Sequence, residues 1–485
     1  MSHSATNRSA CYSIMYYGVL VNKYSIFRNK RILNFVIFEI KLLSDIQNRI
    51  NYLIIKQLNI STTLYKYRKN MTPTSETHIS VKALQMESFW HTAISEGLPV
   101  AIWRLPKSTD KQLLIDLAGR ISHTKIDLEE LPSGFAMSPF IGESLFLKGD
   151  LYFQFDTQNQ IINEFQNQSD EAQEFARKVQ LFYDKQEDLD FSSKPAEQPE
   201  VKPKKSFEHP TETSLYNEMT YAEMVSGAID SIQRGDMQKV VLSRTKQITL
   251  PADFEVIDAF NKLCVAYPNA FVSLVYLPQE KALWLGATPE TLISMDKNGI
   301  FRTMSLAGTQ SAIGHNGEKY HPAEIRWSCK EIEEQAFVSR YIIECFKKIR
   351  LREYIEIGPK TVQAGNLMHL RTDYTVDTNE VNFPQLGTVM TELLHPTSAV
   401  CGTPKEPALR FIAENELHSR EYYSGFLGPV NIQNESHLFV NLRTMKIVGN
   451  QATLFAGGGI TEDSNPVKEW YETEMKSQTL LRVIL

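Results

Sequence analysis

Very little in this chain points to a disulfide-bonded, membrane-spanning or nucleic-acid-binding protein. Its five cysteines, Cys11, Cys264, Cys329, Cys345 and Cys401, form no CxxC pair and no framework spacing. That fits free thiols in a reducing cytoplasm, where small buried apolar side chains account for them. No run approaches the unbroken apolar stretch of about 20 residues that a membrane span needs. The opening MSHSATNRSACYSIMYYG lacks the basic segment and apolar core of a signal peptide. There is no surplus of base either: 51 Lys and Arg against 57 Asp and Glu give a formal charge of −6. Phosphate-backbone binding needs a clustered basic face, so no nucleic-acid partner is expected. A GxGxxG turn, a GxxxxGK[ST] loop and an HExxH helix are all missing, which argues against dinucleotide, nucleoside-triphosphate and zinc sites.

Residues 1–70 differ from the rest. They hold two acids, Glu39 and Asp45, against eleven Lys and Arg, and are dense in Ile, Asn, Tyr and Leu. They read as translated upstream sequence, with Met71 as the working start. A targeting segment or an amphipathic membrane helix is the competing reading. Residues 71–191 alternate helical and strand patterns, including SLFLKGDLYFQF, read as a strand pair around a Gly-Asp turn. Residues 192–212, rich in Pro, Lys and Glu, cannot bury a core and read as an exposed linker or loop.

From residue 213 onward, hairpin patterns dominate with helices interspersed. TLISMDKNGIFRTMSLAGT reads as a hairpin around KNG, and HLFVNLRTMKIVGNQATLFAGGGI as another. A long helix is expected over about 322–350. A last helix should start at Pro466, a favoured first helical residue, with Asn465 as cap.

Two of these helices carry paired acids. Glu331 and Glu334 lie three apart in KEIEEQ, as do Glu469 and Glu472 in EWYETEMK. Residues so spaced share one helix face. Four converging carboxylates repel, and a hard divalent cation such as Mg²⁺ resolves the conflict. Because Mg²⁺ takes few carboxylates directly, one Glu per helix should touch it and the other act through water. A solvated helix face is the ordinary explanation of ExxE. Lys476, one turn beyond Glu472, adds a cation for an anionic substrate.

Other candidates are weaker alone. Arg443 reads as mid-strand in VNLRTMKI, where a half-buried arginine needs an anion or a structural ion pair. Gly457, Gly458 and Gly459 offer backbone N–H groups for a carboxylate, or merely a tight strand exit. Lys239 opens the strand KVVLSR, and Glu290 follows Pro289 at a strand end. They are candidates for general base and general acid, although an exposed lysine and a loop glutamate would look the same. His395, before Pro396, is either a donor to a substrate oxygen or a satisfied core histidine.

KVVLSR, LGATPETL, SLAGT, KEIEEQ, LHPTSAVCGTP, REYYSGFLGPV, LFVNLRTMKI, AGGGI and PVKEWYETEMK follow one another in this order. Together they resemble the chorismate-utilising enzymes, and within them the isochorismate synthases, over residues 213–485. Residues 71–191 resemble the family's less regular N-terminal part. The resemblance implies an α/β (α+β) fold: two large, mostly antiparallel sheets packed together with helices outside. It implies Mg²⁺ on the ring carboxylate of chorismate, with Glu334 and Glu472 in direct contact and Glu331 and Glu469 through water. Arg443, Lys476, Tyr423 and Gly457–Gly459 would hold the enolpyruvyl carboxylate, and Gly308 and Thr309 would line the ring pocket. Lys239 would be the base and Glu290 the acid on the opposite ring face, for addition of water at C2 and loss of the C4 hydroxyl.

Ammonia-using relatives usually have Gln where Lys239 stands, and aminodeoxychorismate synthases often have Lys in place of Ala307. Neither pattern is present, nor is a Cys-His-Glu amidotransferase segment, so water is the expected nucleophile and no amidotransferase subunit is expected. Salicylate synthase, which shares the lysine and goes on to eliminate pyruvate, is the rival reading. A chorismate-binding protein without turnover is the non-enzyme reading. A cytoplasmic monomer feeding menaquinone synthesis is the further expectation, with a siderophore pathway as the alternative.

Overall fold

The computed structural model describes residues 85–485 except 159, 167–168, 193–211, 214, 315–316 and 366. The readings made for residues 1–70, and for all but the ends of 192–212, lie outside that set. Two antiparallel sheets, of eleven and nine strands, form the body. The larger sheet places Lys239–Thr249, Gln451–Ile460, Thr444–Val448, Ala282–Thr288, Phe271–Leu277 and Val100–Arg104 side by side. The smaller runs Ile355–Ala364, Leu367–Asp377, Ile300–Ser311, Thr291–Met295, Ser436–Val440, Phe426–Val430 and Gly134–Ser138, continuing to its far edge.

Strand alternation builds the layers. In Val100–Arg104, Val100 and Ile102 join a core under the outer helices, while Ala101 and Trp103 join a core shared with the second sheet. The inter-sheet core takes Phe271, Trp284 and Phe455 from the larger sheet and Phe135, Leu147 and Phe439 from the smaller. With both faces covered, strands such as Lys239–Thr249 are buried along almost their whole length. No helix among the described residues is long and apolar enough to cross a membrane.

Three short connections carry the chain between the sheets, and two of them correct the sequence reading. Leu145–Lys148 and Leu151–Phe155 do not pair; they lie in different sheets, and Gly149–Asp150 crosses between them. HLFV and TMKIV also part company. Ser436–Val440 belongs to the smaller sheet and Thr444–Val448 to the larger, so Arg443 lies in a crossover and not mid-strand. Its φ of 50° is the bend that turns the chain. Pro289–Glu290 is the third crossover, between Ala282–Thr288 and Thr291–Met295.

The long helix is shorter than the pattern suggested, running Cys329–Lys348 after an isolated turn at Pro322–Glu324. Its buried stripe is Gln335, Val338, Ile342, Cys345 and Phe346, and Lys347 and Lys348 complement its C-terminal dipole. The last helix, Pro466–Ile484, starts with Asn465 accepting from the Lys468 N–H at 3.1 Å. Its buried stripe changes character along its length. Glu469, Thr473 and Ser477 come first, then Leu480 and Ile484. The apolar half anchors the helix in the core, and the polar half faces a site.

Candidate active site

The site is assembled from two sheet crossovers, one strand pair and two helices. The crossovers brace each other. Val440 N donates to Glu290 O at 3.0 Å, Ala287 N to Arg443 O at 3.0 Å, and Thr288 Oγ1 to Val440 O at 2.6 Å. Glu290 and Arg443 are therefore held side by side by backbone, not by rotamer choice. The Glu290 side chain is buried, and that burial lifts its carboxyl to about 8, against the pull of Lys239, Arg443 and Lys476. It is protonated at neutral pH.

Lys239 lies at the start of its strand with no exposed surface. Its Nζ is 3.3 Å from Glu334 Oε1 but has no aligned hydrogen-bond acceptor. That proximity without alignment leaves its donors unused. Gly459 sits opposite Val241 two residues along, and a Cβ there would lie 2.9 Å from Lys239 Cε and 2.5 Å from Glu334 Oε1. At Gly458 it would lie 3.2 Å from Glu469 Oε2 and 3.8 Å from Glu472 Oε1, and at Gly457 3.0 Å from the Tyr423 hydroxyl. The three glycines thus make room for five functional side chains to close over one strand. Beyond Leu454 the strand no longer pairs with Thr444–Val448, so its backbone faces the site along that edge.

The acidic helices meet here as expected, with cations among them. Lys476 Nζ donates to Gly457 O at 2.8 Å and lies 2.6 Å from Glu472 Oε1. Burial opposes ionisation of Glu472, but Lys476, Lys330 and Arg443 hold its carboxyl below the usual range. Burial and the charge of Glu472 push Glu469 up, although Lys330 Nζ donates to it at 2.5 Å. Burial alone would lower the Lys330 ammonium; Glu472, Glu469 and Glu334 hold it above its ordinary value. One lysine thus sits in the field of three carboxylates.

Glu331 is placed differently from Glu334. One of its oxygens accepts from the Ser328 N–H at 2.8 Å and from the Ser328 hydroxyl, closing a capping box at the helix start. His395 is a core histidine. Its Nε2 donates to Pro139 O at 3.0 Å, its ring stands edge-on to Phe426, and burial lowers it to about 4. The expectation that it contacts substrate is not supported by this placement.

Gly308 and Thr309 form a bulge where the Ile300–Ser311 strand slips against Leu367–Asp377. Gly308 has φ +69, and a Cβ would press on Glu331 Cβ at 3.1 Å and on Trp327 at 3.3 Å. Its carbonyl accepts from His369 Nδ1 at 2.7 Å. Burial and the nearby Arg443 keep His369 neutral, near 3, so its buried, unpartnered Nε2 is a hydrogen-bond acceptor. The sequence reading missed His369, whose only signal is a histidine in the alternating LMHLRT, and Lys330, overlooked beside the acids of KEIEE. Tyr423 is buried and stacked on Phe455 at 5.4 Å.

Among the described residues no three His, Cys, Asp or Glu side chains are gathered at ligating distance of one point. The donor set nonetheless suits a hard divalent cation. Glu334, Glu469 and Glu472 bear on the same two glycines, and Glu469 Oε2 is buried with no hydrogen-bond partner.

Comparison with known proteins bears on the family and the fold. The chorismate binding enzyme family matches residues 139–485. The isochorismate synthase EntC of Escherichia coli (strain K12) is 29% identical over 271 residues, covering 56% of this chain and 68% of that protein. The vibriobactin-specific isochorismate synthase of Vibrio cholerae is 26% identical over 263 residues, covering 54% and 65%. The solved structure of MenF, the menaquinone-specific isochorismate synthase of Escherichia coli, superposes with a TM-score of 0.60 at 20% identity, covering 80% of this chain and 89% of that one.

Proposed function

The chain belongs to the chorismate-binding enzyme family, and on that premise we propose that it converts chorismate to isochorismate. The observation that carries the reading is the pairing of a buried Glu290, its carboxyl raised by that burial, with a buried Lys239 within electrostatic reach of it. Adding water at C2 and expelling hydroxide from C4 needs a proton removed at one carbon and one delivered at the other. Lys239, with no aligned acceptor, takes the proton from water once it is itself neutral. Glu290 gives its proton to the departing C4 oxygen. Each transfer is worth roughly 10²–10⁴-fold.

Arg443 and Lys476 are the cations for the enolpyruvyl carboxylate, with the Tyr423 hydroxyl and the open edge of Gly457–Gly459 beside them. His369 Nε2, an acceptor, suits a substrate hydroxyl. Gly308 and Thr309 line the ring pocket at the bulge. Glu334 and Glu472 would hold Mg²⁺, with Glu469 beside them and the free oxygen of Glu331 behind. When bound, the ion neutralises and orients the ring carboxylate. Lys330, in the field of the same carboxylates, would compete with the ion for them.

Menaquinone-specific and vibriobactin-specific enzymes both stand among the similar proteins, so it is the reaction and not its pathway that is proposed. The test is product analysis by liquid chromatography with mass detection, using chorismate and Mg²⁺ with and without EDTA. Isochorismate that depends on metal supports the reading. Salicylate with pyruvate would assign the chain to the lyase branch, and chorismate bound without turnover would overturn the roles of Lys239 and Glu290.

A further inference from the structure

A cavity of about 510 Å³ opens beside Arg443. Its charged lining is one-sided: Lys319, Arg443 and Arg482, with no aspartate or glutamate. That is unexpected in a chain with more acids than bases. The three cations are also graded in depth. Lys319 and Arg482 are exposed and Arg443 is half-buried, while His369 closes the inner wall. Among the described residues neither Lys319 nor Arg482 has an ion-pair partner, so neither charge is spent on the fold.

Two lining residues are also tied to each other. Tyr267 lines the cavity, and its hydroxyl donates to Thr479 O at 2.5 Å, one turn before Arg482. Burial raises Tyr267, and Arg443 and Arg482 both pull it back, so the two guanidinium groups flank it. Cationic clefts with low-dielectric walls concentrate anions and raise capture rates by roughly 10–10³-fold.

Resting on the proposed function, we propose that this cavity is the approach to the site and that Lys319 and Arg482 are its capture residues, drawing a small dicarboxylate toward Arg443. They touch neither reacting carbon, so their effect belongs to binding and not to chemistry. Nothing in the motifs that identify the family includes either residue.

The test is a K319Q/R482Q double variant, compared with wild type by titration calorimetry with chorismate and by steady-state kinetics, each from low to high KCl. The double variant is expected to weaken chorismate binding and raise KM roughly ten-fold at low salt. Its kcat should change less than two-fold, and its salt dependence should be much flatter than that of wild type. A K319R/R482K variant, which keeps both charges, should restore affinity and salt slope and so controls for folding. Unchanged affinity and salt slope in K319Q/R482Q would overturn the capture role, as would a fall in kcat with KM intact. Because calorimetry does not need turnover, a wild type that binds chorismate but makes no isochorismate strikes only the proposed reaction. A wild type that does not bind chorismate overturns both.

Discussion

Lys330 and Glu469 come from different helices and meet at 2.5 Å, Nζ to Oε1, with the Glu469 side chain almost fully buried. Removing one partner of a buried pair leaves the other charge uncompensated, at a cost of about 3–5 kcal/mol, and the partial exposure of Lys330 places this pair at the lower end. K330M should therefore melt roughly 3–4 °C below wild type in EDTA. Mg²⁺ should raise its melting temperature more than that of wild type, because the ion then meets no resident ammonium. Melting curves in EDTA and in Mg²⁺ read both effects; equal melting temperatures in EDTA would refute the pair's role.

Lys239 and Glu290 divide the proton transfers between them. K239A and E290Q should each lose roughly 10²–10⁴-fold in kcat while still binding chorismate by calorimetry. Turnover within ten-fold of wild type in either variant would remove that residue from the chemistry.

The raised carboxyl of Glu290 sets an alkaline limit. Its acid form is lost as pH rises through about 8, so kcat/KM should fall there, and the residual activity of E290Q should lack that limb. The stability effect has the same sign. A carboxyl raised from 4.5 to about 8 on folding favours the folded state fully below 4.5, and loses that contribution as pH rises through about 8. Denaturant titrations across that range should show wild-type stability falling with pH more steeply than that of E290Q.

Gly459 has room for hydrogen only. A Cβ in G459A would meet Glu334 Oε1 at 2.5 Å and Lys239 Cε at 2.9 Å. Both are ends of flexible side chains, so the strand pairing should survive while the pair is displaced. We expect at least roughly ten-fold loss of kcat with an almost unchanged melting temperature. A large drop in melting temperature would instead show that the glycine serves the fold.

The helical half of the site was legible in the sequence because three-residue spacing maps directly onto a helix face: Glu334, Glu469, Glu472 and Lys476 all meet as that spacing implies. The crossovers were not legible. A two- or three-residue link between alternating strands looks the same whether the strands pair or change sheets, so the pattern alone makes Arg443 mid-strand and Gly149–Asp150 a hairpin turn. The cap made by Glu331 is local, a Ser328-x-x-Glu331 capping-box spacing open to sequence reading; local pattern could not show that His395 is taken by Pro139 O, or that Lys330 and His369 point into the site. Those assignments depend on contacts with segments up to 256 residues away.

Pro289–Glu290 is the whole of the chain between Thr288 in one sheet and Thr291 in the other. Three Cα steps reach about 11 Å, hardly more than the roughly 10 Å between packed sheets. Thr288 is paired with Phe271 and Thr291 with Phe439, and those two rings stack at 4.1 Å. The aromatic pair is the spacer and the link is a strap with almost no slack. The thickness of the sandwich at that point thus fixes where the acid stands. A bulkier or smaller side chain at Phe271 or Phe439 would retune proton delivery without touching a single group that meets the substrate.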